Sequence, residues 1–524
     1  MSKDYVISVD IGTSEMKSSL ISTSGLINDV RRTYPVEFPK PGWAEQDPNL
    51  ISDALYSSVK ELVQKNSDEI QYVRGITFTS QMMGLLPLDK TGKPLSKMLT
   101  WLDTRSAELI KLVFSKGLIK IEGYKARTIL KFLNITGGAP GFSGKDNISK
   151  MAWLKEYQPE IYAKTHKFVD TKDYAVYLAT GKYITSVDFA YINWMMDSRK
   201  KPFKWSEDIC LLFDIDSSKL CDIKLSTANL GSINKDFAQK TGLPEHIPVI
   251  NGSGDLLTAA IGSGAIGKAK LHANIGTAGW VGCHYPKAKK DLSHYVGAIA
   301  SGIPDTYLIV SKQETLGGGL EWVKNVMFPE EFHQKYSSKE IYQQIDEMVE
   351  KSPAGANHII FTPWLFGERS PINNPYLRGQ FFNFSMDHNR KDLFRAVFEG
   401  VAYNLKWGLD IVEKLSKKKE NEIRVIGGAS NSEVWCQIFA DVFQKKVLQM
   451  KDPQMASAIG AACIAFVGLG IFTDFKQINQ LIEVKQTFIP DSSKMITYNT
   501  LFMQYKELYK RNKKIFERLN RNFM

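Results

Sequence analysis

The chain opens on short runs with β-branched or aromatic content, punctuated by glycines. Val6–Asp10, Lys17–Ile21 and Arg31–Phe38 read as three strands, joined by glycine turns at Gly12 and Gly25. A helical period follows. Leu50, Ala54, Leu55, Val59, Leu62 and Val63 fall largely on one face of a helix over Asn49–Gln64, and Pro48 ahead of it suits a helix start. Val73–Thr79 is the next strand. Three strands followed by a helix and a strand is an α/β pattern, not a bundle or a sandwich.

The second half repeats this rhythm loosely. Leu271–Ile275 reads as a strand, Gly276–Gly279 as a turn and Trp280–His284 as a returning strand. Asp392–Val412 is a strong helix, with Leu393, Phe394, Val397, Val401, Leu405, Leu409 and Val412 along one side. Ile423–Ile426 is a strand, Gly427-Gly428 a tight turn, and Glu433–Phe443 a helix. A glycine turn after a strand near each domain start suggests two related halves facing a common cleft. No identity recurs at a fixed period. The expected division is 1–256, 257–490 and a C-terminal amphipathic helix within 491–524. In that last segment Leu501, Phe502, Tyr505, Leu508, Tyr509, Ile515 and Phe516 recur at helical spacing, opposite a face rich in Lys and Arg. Docking of its apolar face on the domain body is favoured over a membrane surface.

Length supports the division, because single cores stop growing near ~250–300 residues and this chain has 524. Its hydrophobic fraction of 43% and charged fraction of 23% suit two ordinary cores. No apolar run is long enough for a membrane span. Met1-Ser2-Lys3-Asp4 leads straight into a strand without the pattern of a signal peptide, so a cytoplasmic protein is expected. Cys210, Cys221, Cys283, Cys436 and Cys463 are odd in number and widely spaced, which argues against a disulfide framework or a zinc site. The net charge of +11 raises nucleic acid as a partner. The basic residues are spread, however, with denser groups at Arg199-Lys200-Lys201, at Lys417-Lys418-Lys419 and near the C-terminus. A solvated basic surface is the expectation, with no nucleic-acid and no membrane partner.

Several short segments carry possible chemistry. In Asp10-Ile11-Gly12-Thr13-Ser14, a carboxylate ends a strand and Gly12 permits a turn whose backbone N–H groups can cradle phosphate. Thr13 and Ser14 add hydroxyls, and Lys17 adds positive charge. Asp255, after Asn251-Gly252-Ser253-Gly254, lies at a strand-to-helix junction, where it is either a catalytic carboxylate or a helix cap. Gly276-Thr277-Ala278-Gly279 repeats the phosphate-turn logic. Gly317-Gly318-Gly319 and Gly427-Gly428-Ala429, with Ser432, allow close approach of a nucleotide. Gln81, Met82 and Met83 follow a strand; with Trp101, Asp103 and Arg105 they offer hydrogen bonds and a stacking face to a polyol. Gly262–Lys268 mimics a P-loop and a dinucleotide fingerprint, but both need a strand before and a helix after. A helix-like run precedes it, and Ala269 replaces the metal-binding hydroxyl. There is no His-Glu-x-x-His metal motif and no serine-hydrolase elbow.

Taken in order, these segments resemble the FGGY carbohydrate kinases, the group of xylulokinase, glycerol kinase and gluconate kinase. The likeness runs from about Tyr5 to Phe472. Asp10–Ser14 resembles the first phosphate loop, and Trp101-Leu102-Asp103-Thr104-Arg105 the Trp-x-Asp-x-Arg segment. Gly254-Asp255 resembles the base segment, and Gly276–Gly279 the second phosphate loop. Gly367-Glu368-Arg369-Ser370-Pro371 is similar to the C-terminal signature, and Gly427-Gly428-Ala429 to the adenine-side loop. The resemblance implies a two-domain actin-like (ribonuclease H-like) ATPase fold, with ATP and sugar between the domains. Asp255 would be the general base, and Asp10 would help hold Mg²⁺–ATP. The implied reaction is phosphoryl transfer to a sugar hydroxyl, most simply of a ketopentose such as xylulose. Glycerol or gluconate kinases, or an actin/Hsp70-like ATPase without a sugar, are the alternatives. A homodimer is the candidate assembly. Xylulokinases typically carry Gln-Met-His-Gly where this chain has Gln81-Met82-Met83-Gly84, so the acceptor is open. Ala278 and Ala429 depart from the usual loop residues but keep the backbone approach.

Overall fold

The computed structural model describes residues 3–115, 120–121 and 123–521. The chain forms two compact units: Met1–Gly262 with Ile299–Thr306 and Ser457–Leu481, and Ser263–Ala298 with Tyr307–Ala456 and Ile482–Met524. The expected break after residue 256 thus falls later, because a strand runs straight into the helix ending at Gly262. Two later segments also return to the first unit, where Ser457 Oγ donates to the Asp255 carbonyl at 3.2 Å. A reading along the chain has no signal for such returns.

The first unit holds a six-stranded sheet. Its strands are β1 (Tyr5–Ile11), β2 (Glu15–Ser22), β3 (Gly25–Thr33), β4 (Val73–Ser80), β5 (Asn229–Ser232) and β6 (Pro248–Gly254), in the order β5-β6-β4-β1-β2-β3. β1 runs antiparallel to β2 and parallel to β4, and β4 runs parallel to β6. The third strand was expected over Arg31–Phe38 and instead spans Gly25–Thr33. It pairs back on β2 directly from the Ser22–Gly25 turn, and Pro35 and Pro39 lack the N–H that a longer ladder needs. Helix α1 (Pro48–Lys65) starts with Pro48 inside its first turn, capped by Asp47, whose carboxylate accepts from Asn49 N. Its Ile51, Leu55, Val59 and Leu62 are buried in the core with β1 and β4 residues. Helices α2 (Asn147–Tyr157) and α3 (Asp255–Gly262) complete the parts that bear on the site.

The second unit repeats this topology. Its strands are β7 (Leu271–Ile275), β8 (Gly279–Tyr285), β9 (Tyr307–Gln313), β10 (Glu422–Ile426), β11 (Lys446–Met450) and β12 (Val484–Phe488). They run in the order β9-β8-β7-β10-β11-β12. Outward from β7, the pairings with β8 and then β9 are antiparallel, while those with β10 and then β11 are parallel. This is the sequence of senses seen outward from β1. The halves are therefore related by strand order without residue identity. Helices α4 (Gly317–Met327), α5 (Arg390–Ser416) and α6 (Glu433–Phe443) belong here. So does α7 (Met495–Asn520). The apolar face of α7 docks on this unit: Tyr498 OH donates to Glu399 and Tyr505 OH to Asn404 of α5, both at 3.0 Å. Residues 522–524 of the expected C-terminal segment lie outside the described residues.

The P-loop mimic at 262–268 sits between α3 and β7, the reverse of the order a P-loop requires. All five cysteines are free and buried. Among the described residues no helix is long and apolar enough to cross a membrane, and no group of three or more His, Cys, Asp or Glu is placed to hold a metal.

Candidate active site

In the first unit the candidate residues gather at the carboxyl ends of three adjacent parallel strands, the usual ligand position in α/β sheets. Asp10 on β1 and Ser253 on β6 both register with Thr79 on β4. Two strand spacings put those backbones roughly 10 Å apart. The Asp10 carboxylate is buried, and among the described residues no donor is hydrogen-bonded to it. Burial pushes its pKa up to about 6, against the opposing pull of Lys17 and with a further push from Glu15. Lys17, directly across the ladder, pairs with Glu15 at 3.7 Å. The turn is tight: Gly12 N donates to Glu15 O at 2.9 Å, so its own N–H closes the loop and is not offered to phosphate. Tyr34 OH donates to Gly12 O at 2.6 Å. The Thr13 hydroxyl accepts from Trp101 Nε1 at 3.0 Å, and Ser14 is exposed.

Asp255 is the first residue of α3 and half-buried; its Oδ1 accepts from Leu256 N at 2.7 Å. The helix is anchored by a 2.9 Å bond between the Thr79 and Thr258 hydroxyls. The preceding residues are held by Asp188, whose Oδ2 accepts from Ser253 Oγ and Gly254 N, both at 2.8 Å. A Cβ added at Gly254 would overlap the Met82 thioether, so the two could not both keep their places. Met82 therefore lies against the backbone that presents Asp255.

The segment after β4 is fixed at several points. Gln81 N donates to Ile11 O at 2.9 Å and Gln81 Nε2 to Gln46 Oε1 at 2.6 Å. Gln81 Oε1 is a buried acceptor without a partner among the described residues. Met83 adopts a left-handed backbone with φ 67°. Trp101 is half-buried, with the Lys145 ammonium 5.5 Å from its ring. Asp103 and Arg105, expected to face a polyol, are committed elsewhere. Asp103 is fully buried and accepts from Ala44 N at 2.8 Å and Arg105 Nη2 at 2.7 Å. Arg105 also donates to Glu45 at 2.6 Å and stacks 3.6 Å from the Trp43 ring centroid. A buried carboxylate demands such a partner, so this pair shapes the loop that carries Trp101.

In the second unit three loops converge. The Gly276-Thr277-Ala278 turn joins β7 to β8, with Thr277 exposed. Gly317 N donates to Gly276 O at 2.9 Å and Gly318 N to Thr277 O at 3.1 Å. These two glycines, expected to allow close approach of a nucleotide, thus spend their N–H groups on bracing the turn. The Gly427 backbone is left-handed at φ 89°, and a Cβ there would overlap Asn274 Oδ1. A Cβ at Gly428 would meet nothing within 4 Å, so that position opens onto free space. Ala429 lies beside Gly317. Ser432 is taken: its hydroxyl donates to Asp346 at 2.9 Å and accepts from Trp435 N as the cap of α6.

Gln46, Asp188, Lys150 and Asn274 were missed in the sequence. Asp188, Asn274 and Lys150 of α2 show only as polar residues within buried stretches, and Gln46, between Glu45 and Asp47, shows no signal at all; neither pattern says where a side chain points.

The N-terminal domain model of the FGGY family of carbohydrate kinases matches residues 5–262, and the C-terminal domain model matches residues 272–469. The chain is 30% identical over 513 residues to a xylulose kinase of Bacillus subtilis, covering 97% of each. Among solved structures it resembles a gluconate kinase from Lactobacillus acidophilus, with TM-score 0.86 and 25% identity over 99% of this chain and 100% of that one. It also resembles a ligand-bound xylulose kinase from the same organism, with TM-score 0.85 and 26% identity over 97% and 98%. The repeated sheet, the strand-end loops and these likenesses agree: the chain belongs to the FGGY family of carbohydrate kinases, two-domain phosphotransferases of the actin-like fold that act on sugar hydroxyls.

Proposed function

We propose that this kinase transfers the γ-phosphoryl group of Mg²⁺–ATP to a hydroxyl of a ketopentose such as xylulose, in the cytoplasm. The observation that carries the reading is the pair of carboxylates Asp10, on β1, and Asp255, directly after β6, with only β4 between those parallel strands. Asp255 takes the proton of the acceptor hydroxyl as its oxygen bonds to the γ-phosphorus; the bond to the β-phosphate oxygen breaks, and ADP leaves. Mg²⁺ usually binds through one or two carboxylates plus substrate phosphates. The Asp10 carboxylate, buried and without a hydrogen-bond donor among the described residues, suits that donor set. When bound, the ion neutralises phosphate charge. Ser14 and Lys17 stand beside it for phosphate oxygens. In the second unit Gly276, Thr277, Gly428 and Ala429 form the nucleotide-binding face. Gln81, Met82, Met83 and Trp101 form the sugar-binding face.

Identity to the Bacillus subtilis xylulose kinase favours a ketopentose. A sugar acid is the second reading, favoured by the gluconate kinase likeness; Met83, whose thioether offers no imidazole donor, leaves the acceptor open. A coupled ATP-consumption assay across ketopentoses, polyols and aldonates tests both. Turnover with xylulose above all others is expected. Turnover confined to gluconate or glycerol overturns the pentose, and ATP hydrolysis indifferent to every polyol overturns the kinase reading.

A further inference from the structure

A fully buried ammonium holds together the two segments assigned above to the sugar. Lys150 lies on α2 with none of its surface exposed. Its Nζ donates to Met83 O at 2.6 Å and to Thr100 O at 2.8 Å. Met83 follows Gln81-Met82, and Thr100 precedes Trp101. One side chain thus spans the backbones of both loops.

Neighbouring contacts fix the same place. Asn147, three residues earlier on α2, donates to Gly84 O at 2.9 Å, and Asp170 accepts from Gly84 N at 2.9 Å. Met83 and Gly84 are therefore gripped by Lys150, Asn147 and Asp170. That grip accounts for a non-glycine residue held at φ 67°, a conformation that survives only where its surroundings over-determine it. On the other side, Thr100 N donates to Ala44 O at 3.0 Å, tying Trp101 to the loop built around Asp103 and Arg105.

We propose that Lys150 is a positioning residue for the acceptor sugar: by bridging the Met83 and Thr100 carbonyls it sets the separation of the Met82–Met83 segment and Trp101. The proposal rests on those segments facing the sugar. Burying an ammonium is costly, and an apolar side chain of similar length fills space more cheaply. Burial lowers the Lys150 pKa to about 8, against the pull of Asp103, Asp170 and Asp146 and with Lys145 adding repulsion. The retained cost points to geometry that an apolar residue cannot impose.

The test compares wild type with Lys150→Met and Lys150→Gln in full-length protein. KM and kcat are measured separately for sugar and ATP, alongside sugar-independent ATP hydrolysis and thermal unfolding. For Lys150→Met, kcat/KM for the sugar should fall roughly 10²-fold, the scale of an ångström misplacement. KM for ATP and sugar-independent hydrolysis should stay within about twofold. Lys150→Gln keeps one donor group and should fall in between; it also serves if the methionine variant does not fold. Equal losses for sugar and ATP in a folded variant would show a merely structural lysine and overturn the proposal, as would an unchanged sugar KM and kcat. If wild type itself shows no sugar-dependent turnover, the assignment of the sugar face fails instead.

Discussion

Gln46 Nε2 donates to the carbonyl of Thr13 at 2.7 Å, while its Oε1 accepts from Gln81 Nε2 at 2.6 Å. A single buried amide thereby joins the turn after β1 to the segment after β4. Gln46→Leu leaves Thr13 O and the Gln81 amide without their partner, at a cost of about 1–3 kcal/mol for a buried polar group left unmade. Both loops should loosen together. KM for sugar and for ATP should each rise several-fold, by roughly 3–10-fold, as read from initial rates. A change in one KM alone would place Gln46 in one site only.

Asp255→Asn keeps the bond from Leu256 N within reach of an oxygen but removes the proton acceptor. Turnover should fall by roughly 10²–10⁴-fold. ATP binding, measured by calorimetry, should be little changed. Near-normal turnover would remove Asp255 from the role of base.

Asp10 links function to stability. Its pKa in the folded protein, about 6, lies above its ordinary value of 3.8. Between those pH values the folded chain holds a proton that the unfolded chain has lost. Stability from this group is therefore present at low pH and is lost as pH rises from about 4 to 6. Above that the ionised carboxylate costs roughly 2–4 kcal/mol. Asp10→Asn should raise the unfolding temperature in metal-free buffer at pH 7. The advantage should shrink as pH falls towards 4, while magnesium-dependent activity is lost. Calorimetric scans across that range check the sign; an advantage that grows on acidification would contradict it.

Gly254 and Met82 should behave as a pair. Gly254→Ala drives its new methyl group into the Met82 thioether, and overpacking of this kind costs about 1–3 kcal/mol. It also shifts the backbone that presents Asp255. Adding Met82→Ala to that variant should recover part of the lost stability and kcat, as measured in a double-mutant cycle. Strictly additive losses would mean that the two residues do not press on each other.

Periodicity along the chain sufficed for β1, β2, α1, β4, β7, β8, α5, β10 and α6 to within a few residues. Each carries an apolar run or repeat that burial imposes, on both faces for β1 and along one side for α1. The order of the glycine turns, with Asp10 and Asp255 at strand ends, likewise sufficed for the family. Those turns follow from local backbone geometry, which neighbouring residues dictate. Tertiary packing alone decided which polar atoms remain available. Asp103 and Arg105 neutralise each other in the core, Gly12, Gly317 and Gly318 bond their N–H groups to nearby carbonyls, and Ser432 caps a helix and holds Asp346. It also brought Lys150, Gln46 and Asp188 to the candidate site, from positions up to 67 residues away in the Lys150–Met83 contact. A side chain's partner across such a distance depends on the register of whole strands and helices, and no local pattern encodes that register.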